Sequence, residues 1–337
     1  MKNTVKKITI KIRQIIICCI AMSLLWGCTN KKSLDYEFET SDINRFWGTY
    51  DTITALTDSA EIYRVFNEMY LDKASEGFKE IMKTCGDIRT PEYFIEHFEL
   101  YPNFWESCRS STLNIKKKKN KIDSVFKKFL DVFPNFKPPK VCIFMGTFST
   151  VGQATNGWIV LGGEFVSYNS FFVVEEFNSK NKQSWEYQQV WNGFSFMKTS
   201  DISLIVAHET VHILQKKKPR GNVLENCIYE GVAEFVSEKI SGIRNQTLYT
   251  SYGEEHEREL WSEFLQDKNN QDISRWLYEG SNSGERPKDL GYYIGYKICE
   301  SYFLSHTDSI KALQNMISIS DYNEFFETSG YAKKFKK

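Results

Sequence analysis

The stretch Ser200-Asp201-Ile202-Ser203-Leu204-Ile205-Val206-Ala207-His208-Glu209-Thr210-Val211-His212 decides how the rest of the chain is read. Ser200-Asp201 can cap a helix, and Ile202, Ile205 and Val206 give that helix an apolar stripe. The helix is expected to run to about Lys218, where Pro219 follows its basic last turn. His208 and His212 then lie one turn apart on one face, so both imidazoles can reach a single ion. Glu209 is displaced by about 100° around the axis from His208, beside an open coordination position. From there it can take a proton from a water that zinc acidifies.

Two histidines need a third ligand. Downstream, Tyr229-Glu230-Gly231-Val232-Ala233-Glu234-Phe235-Val236 reads as a second helix with Gly242 as its C-cap. Glu230 and Glu234 are one turn apart on it. Glu230 is the candidate metal ligand. Glu234 is the candidate partner for a ligand histidine's other ring nitrogen, fixing its tautomer and orientation. Structural zinc sites are usually closed by four protein ligands, and three are evident here, which favours a catalytic site.

These motifs resemble the gluzincin metallopeptidases. His-Glu-x-x-His followed by Glu-Gly-x-Ala is similar to the aminopeptidase branch, whose Glu binds zinc and maps onto Glu230. The thermolysin branch places an Asp where Glu234 stands. The Gly-Ala-Met-Glu-Asn exopeptidase motif does not occur, so the resemblance does not imply aminopeptidase specificity. A further resemblance is to a family of predicted zinc-dependent proteases and the related gliding-motility lipoprotein B family. It rests on Phe133-Pro134-Asn135-Phe136 with Pro139-Lys140-Val141, on the zinc segment, and on Arg286-Pro287-Lys288-Asp289-Leu290-Gly291-Tyr292-Tyr293-Ile294-Gly295-Tyr296. It covers roughly residues 130–305, and the N-terminal helices resemble the lipoproteins only loosely. The resemblance implies a zincin-like fold and a zinc cofactor but names no substrate; a polypeptide substrate is the expectation.

Gluzincins commonly take an oxyanion donor from a Tyr or His of the C-terminal lobe. Tyr292, Tyr293 or Tyr296 could serve. The competing reading is aromatic packing, with close helix approach at Gly291 and Gly295. Zincins also pair an edge strand with extended substrate, and residues 157–163 are the candidate edge.

The N-terminus has a different purpose. Lys2, Lys6, Lys7, Lys11 and Arg13 precede the apolar run Ile15–Trp26, and no acid occurs before Cys28. The run is too short to span a bilayer comfortably and has the length of a signal-peptide core. Leu25-Trp26-Gly27-Cys28 resembles the bacterial lipobox, which implies acylation at Cys28 and anchoring to a membrane. The residues after Cys28 carry no acidic surface-export tag, which favours the periplasmic side of the outer membrane. The whole chain has 43 basic and 43 acidic residues; without the leader, 38 basic residues face 43 acidic ones. A mildly acidic body gives no sign of nucleic-acid binding.

Five cysteines remain beyond Cys28: Cys85, Cys108, Cys142, Cys227 and Cys299. An odd count without close pairs points to buried thiols, although a Cys85–Cys108 bridge is conceivable. His97, His256 and His306 read as surface or structurally satisfied residues. With 337 residues, 41% of them hydrophobic, the chain can bury a sizeable core.

Helices are expected from Asp58 to Tyr70, over 91–110 and over 121–133, with Lys116–Lys119 as a solvated run. Pro138-Pro139 breaks this pattern. Val141–Met145 and Trp158–Leu161 are the strand candidates. Residues 200–242 and 255–330 return to helix. The expected class is α+β, a small mixed sheet packed on the His-Glu-x-x-His helix. The expected segments are a signal at 1–27, a tether at 28–40, a helical region at 41–136, the sheet and metal core at 137–245, and a helical lobe at 246–337. The expected function is zinc-dependent peptide hydrolysis. The alternatives are a non-catalytic zinc-binding lipoprotein of a secretion or gliding-type machine, and an amidase or carboxypeptidase acting on cell-wall peptides.

Overall fold

In a computed structural model of the chain, the described residues are 34–179, 197, 201–215, 218–219, 221–278 and 286–335. The leader at 1–27, Cys28 and the first part of the tether, to residue 33, lie outside them.

The stretch read as a tether ends early, because Phe38–Glu39 (β1) pairs in parallel with Val141 and Cys142. Helices then follow in series: α1 (Ser41–Ile53), α2 (Ser59–Phe66), α3 (Glu76–Met82), α4 (Pro91–Leu100), α5 (Pro102–Leu113) and α6 (Lys119–Val132). The Asp58 carboxylate accepts the Glu61 amide at 2.8 Å and starts α2, as its acidic first turn suggests. The helix expected over 91–110 is two helices. Pro102 has no amide hydrogen and forces the preceding residue out of the helical region, so Tyr101 sits at φ −135°, ψ 53°.

These helices are joined by aromatic packing. Phe46, Trp47, Phe66, Tyr70, Phe94 and Trp105 are buried, and Phe66 meets Phe94 with ring centroids 4.9 Å apart. Each such ring contributes about 1.5–3 kcal/mol by leaving water.

The sheet runs β1-β2-β4-β3, with β2 (Lys140–Phe144), β3 (Gly152–Thr155) and β4 (Trp158–Gly162). β2 and β4 are parallel, whereas β3 and β4 form an antiparallel hairpin. Asn156 and Gly157 close that hairpin at φ 41° and 81°, the two-residue turn that favours Asn-Gly. The mixed α+β class therefore holds. The edge strand does not: residues 157–163 fall on β4, which lies between β2 and β3, and β3 is the edge on that side of the sheet. The unbroken apolar run Trp158–Leu161 is the mark of a strand covered on both faces.

On one face, α3 packs against the sheet, with Gly77 close to Cys142 and Trp158. The other face carries Leu161 and receives Ile205 from α8 (Ile202–Leu214). The short α7 (Gly163–Val166) follows β4. Beyond α8 come α9 (Val223–Ser241), α10 (Leu248–Glu255), α11 (Glu257–Asp267), α12 (Leu290–Leu304), α13 (Ser309–Ile317) and α14 (Tyr322–Ser329). Gly242 ends α9 in the left-handed conformation expected of it. Helices α9 and α12 touch backbone to backbone: a Cβ on Gly231 would stand 2.1 Å from Gly295, and one on Gly295 would stand 1.8 Å from the Cys227 carbonyl oxygen. Tyr36–Lys337 forms one compact unit.

Candidate metal centre

Asp201 caps α8 by accepting the Ser203 amide at 2.7 Å. The helix stops at Leu214, not near Lys218, because Gln215 turns to ψ 120°. That turn has a use. The Gln215 amide donates to the Tyr229 carbonyl at 2.8 Å, and its Oε1 meets His212 Nδ1 at 2.8 Å. Gln215 thus orients one histidine and ties α8 to α9. The Tyr229 ring stacks on the same imidazole, with centroids 4.7 Å apart and planes 18° apart.

His208 is held from the other side. Its Nδ1 lies 3.4 Å from Glu234 Oε1, the partner expected from the sequence. Asn245 donates to both Glu234 oxygens, at 3.2 and 3.1 Å, and to the Tyr249 hydroxyl at 2.6 Å. With both Nδ1 atoms directed outward, both Nε2 atoms turn inward. They lie 3.0 Å apart, and Glu230 Oε2 is 3.5 Å from His208 Nε2 and 3.2 Å from His212 Nε2.

Three donors about 3.3 Å apart match neighbouring ligands of a tetrahedral ion with bonds of about 2.0–2.1 Å. A second observation supports the fit. Glu230 Oε2 is buried and, among the described residues, has no donor in hydrogen-bonding geometry, whereas Oε1 accepts from the Tyr278 hydroxyl. Burial opposes a charge on Glu230, yet the two imidazoles hold its carboxyl well below the usual carboxylate range. Burial likewise opposes charging of His208, but Glu230 and Glu234 push its pKa well above the imidazole norm. His212 is raised against its own burial by Glu230. The three groups favour positive charge between them, as two protons or one divalent cation. His208, His212 and Glu230 are thus brought together as a set of donors that could hold a metal ion.

Glu209 is almost buried and opens onto a cavity of about 560 Å³. Edge strand β3 borders this cavity, with Gly152 pressed against Ile205 and close to the Glu209 side chain. Of the three tyrosines, Tyr292 reaches the site. Its ring lines the cavity, lies 6.4 Å from the His208 ring and stacks on Tyr249. Tyr296 donates instead to Glu238 at 2.6 Å, and Tyr293 packs on Gly253. A helix presents one face to a point, so consecutive tyrosines cannot share the task.

Among the described residues all five cysteines are free thiols, including Cys85 and Cys108. His97, His256 and His306 each place Nδ1 within 2.6–2.9 Å of the carbonyl four residues earlier. Their structural reading holds.

The chain belongs to the family of gliding motility protein GldB. The family model matches residues 29–333, which include His208, His212 and Glu230 and also the N-terminal helices, well beyond the 130–305 legible from motifs. It is a lipoprotein family of the cell envelope, in keeping with the reading of Cys28. Among the described residues no helix is long and apolar enough to cross a membrane. No curated protein matches the chain, and no solved structure does.

Proposed function

We propose that this chain is a zinc-dependent peptidase, lipid-anchored through Cys28 to the periplasmic face of the outer membrane. The observation that carries the reading is the convergence of His208 Nε2, His212 Nε2 and the orphaned Glu230 Oε2 beside Glu209. Zinc held there would acidify a water and polarise a peptide carbonyl. Glu209 takes the proton from the attacking water and returns it to the departing amine. Tyr292 is the tyrosine placed to donate to the carbonyl oxygen as charge builds on it. Edge strand β3 offers backbone groups to an extended polypeptide. A His-Glu-x-x-His helix under a mixed sheet, with an antiparallel edge strand beside the Glu, supports a zincin-like assignment and the gluzincin resemblance.

Family membership favours a second reading, a zinc-binding scaffold of a gliding-type machine. Intact Glu209 weighs against it, because a structural site needs no general base. The test uses the full chain purified in detergent: bound zinc is measured, and an unstructured polypeptide is offered to wild type and Glu209→Gln. Glu209→Gln is expected to keep zinc and lose at least about a hundredfold in turnover. Cleavage that survives the substitution removes the peptidase reading, and zinc binding without cleavage by either protein selects the scaffold.

A further inference from the structure

We infer that Tyr278 is a positioning residue for Glu230, fixing the angle of its carboxylate so that one oxygen faces the metal while the other accepts the Tyr278 hydroxyl. The inference rests on the zinc reading above. Glu230 has two oxygens in different surroundings. Oε1 accepts from the Tyr278 hydroxyl, and Oε2 points at the two histidines with no donor of its own. A terminal carboxylate torsion is broad, so nothing intrinsic to the side chain sets its angle. A donor fixed on one oxygen does.

The backbone holds the donor in an uncommon conformation. Tyr278 sits at φ 65°, a left-handed conformation that costs a bulky residue on the order of 1 kcal/mol or more. Burial does not explain it, since Tyr278 is 50% exposed. The Tyr278 amide donates to Asp289 Oδ1 at 3.0 Å, and Asp289 is itself left-handed at φ 64°. The Gly291 amide donates to the Trp276 carbonyl at 2.9 Å, and Trp276 and Leu277 are fully buried anchors. Two strained residues are thus latched together at the start of α12, the helix that also presents Tyr292. Two of the five positive-φ non-glycine residues among the described residues thus lie where one hydroxyl meets a candidate metal ligand.

The test measures zinc affinity of the full chain in detergent by competition with a coloured chelator. Tyr278→Phe keeps the ring and removes the hydroxyl, and is expected to weaken zinc by about 10- to 100-fold. Asp289→Ala releases the Tyr278 amide and is expected to weaken zinc in the same direction, whereas Asp289→Asn keeps an acceptor and restores wild-type affinity. Should Tyr278→Phe fail to fold, the two Asp289 variants carry the test. Wild-type affinity in Tyr278→Phe overturns the inference and leaves the zinc reading intact. A wild type that binds no zinc removes the zinc reading, and the inference with it.

Discussion

The N-terminal helices and the α8–α9–α12 region are both deeply buried, but they are built from different materials. Around Phe46 and Trp105 the interior is ring against ring, held by apolar area and dispersion. Around Glu230 the interior contains carboxylates and imidazoles, whose removal from water is costly unless every atom finds a partner. The first region needs nothing beyond itself. Among the described residues the second leaves Glu230 Oε2, which faces both imidazoles, without a hydrogen-bond donor, a place that a cation could fill. A buried core that is chemically incomplete is a stronger sign of function than any amount of close packing. Phe148 joins the two regions: it stacks on Trp105 at 5.2 Å and also lines the cavity.

Three substitutions can break or sharpen this contrast. The largest effect is expected in the aromatic region. Trp105→Ala should lower unfolding stability by about 3–5 kcal/mol, as read by denaturant titration. Variant that remains folded should bind zinc as wild type does. A parallel loss of zinc affinity would mean that the two regions are not energetically separate.

The next effect lies at their junction. Glu164 is buried, and accepts the amides of Gly146 and Phe148, the latter at 2.7 Å, next to left-handed Thr147 and Phe148. Burial pushes its carboxyl up to about 7, with those amides offsetting part of the rise. The folded value is above the unfolded one, so the protonated form favours folding. Stability from this group is full below about pH 4.5 and is lost as pH rises towards 7. The loss amounts to roughly 3 kcal/mol. Glu164→Gln should remove this slope, so the stability difference between variant and wild type should change over that window and stay flat above it. A pH-independent difference would show that the loop amides hold the carboxylate ionised throughout.

The smallest effect is expected at the metal site's periphery. Gln215→Ala leaves His212 Nδ1 without its partner and should weaken zinc by about tenfold, or 1.4 kcal/mol. Chelator competition measures it. An unchanged affinity would mean that the stacked Tyr229 ring alone orients the imidazole.

Much of the centre was legible along the chain because its determinants are local. His208 and His212 are neighbours by helical spacing, Asp201 starts their helix, and Glu230 and Glu234 share a face of a second one. The α+β class followed from two apolar runs between helical periods. The Asn156-Gly157 turn marked a hairpin and could have revealed β3. Pro102 likewise marked the break between α4 and α5.

Other features had no local signal. Tyr278 meets Glu230 across 48 residues, and Gln215 becomes a partner of His212 because α8 ends four residues sooner than its composition suggests. The choice of Tyr292 over Tyr293 and Tyr296 depends on how α12 is rotated against α9, which the Gly231–Gly295 contact sets. The choice of β3 as edge depends on strand order, with β4 inserted between β2 and β3. By itself the sequence determined which side chains could hold a cation and which residue could serve as base, because helical periodicity acts over a few residues. Only the tertiary structure decided which partners orient those ligands and which strand opens to the cavity, because both depend on packing between segments far apart in the chain.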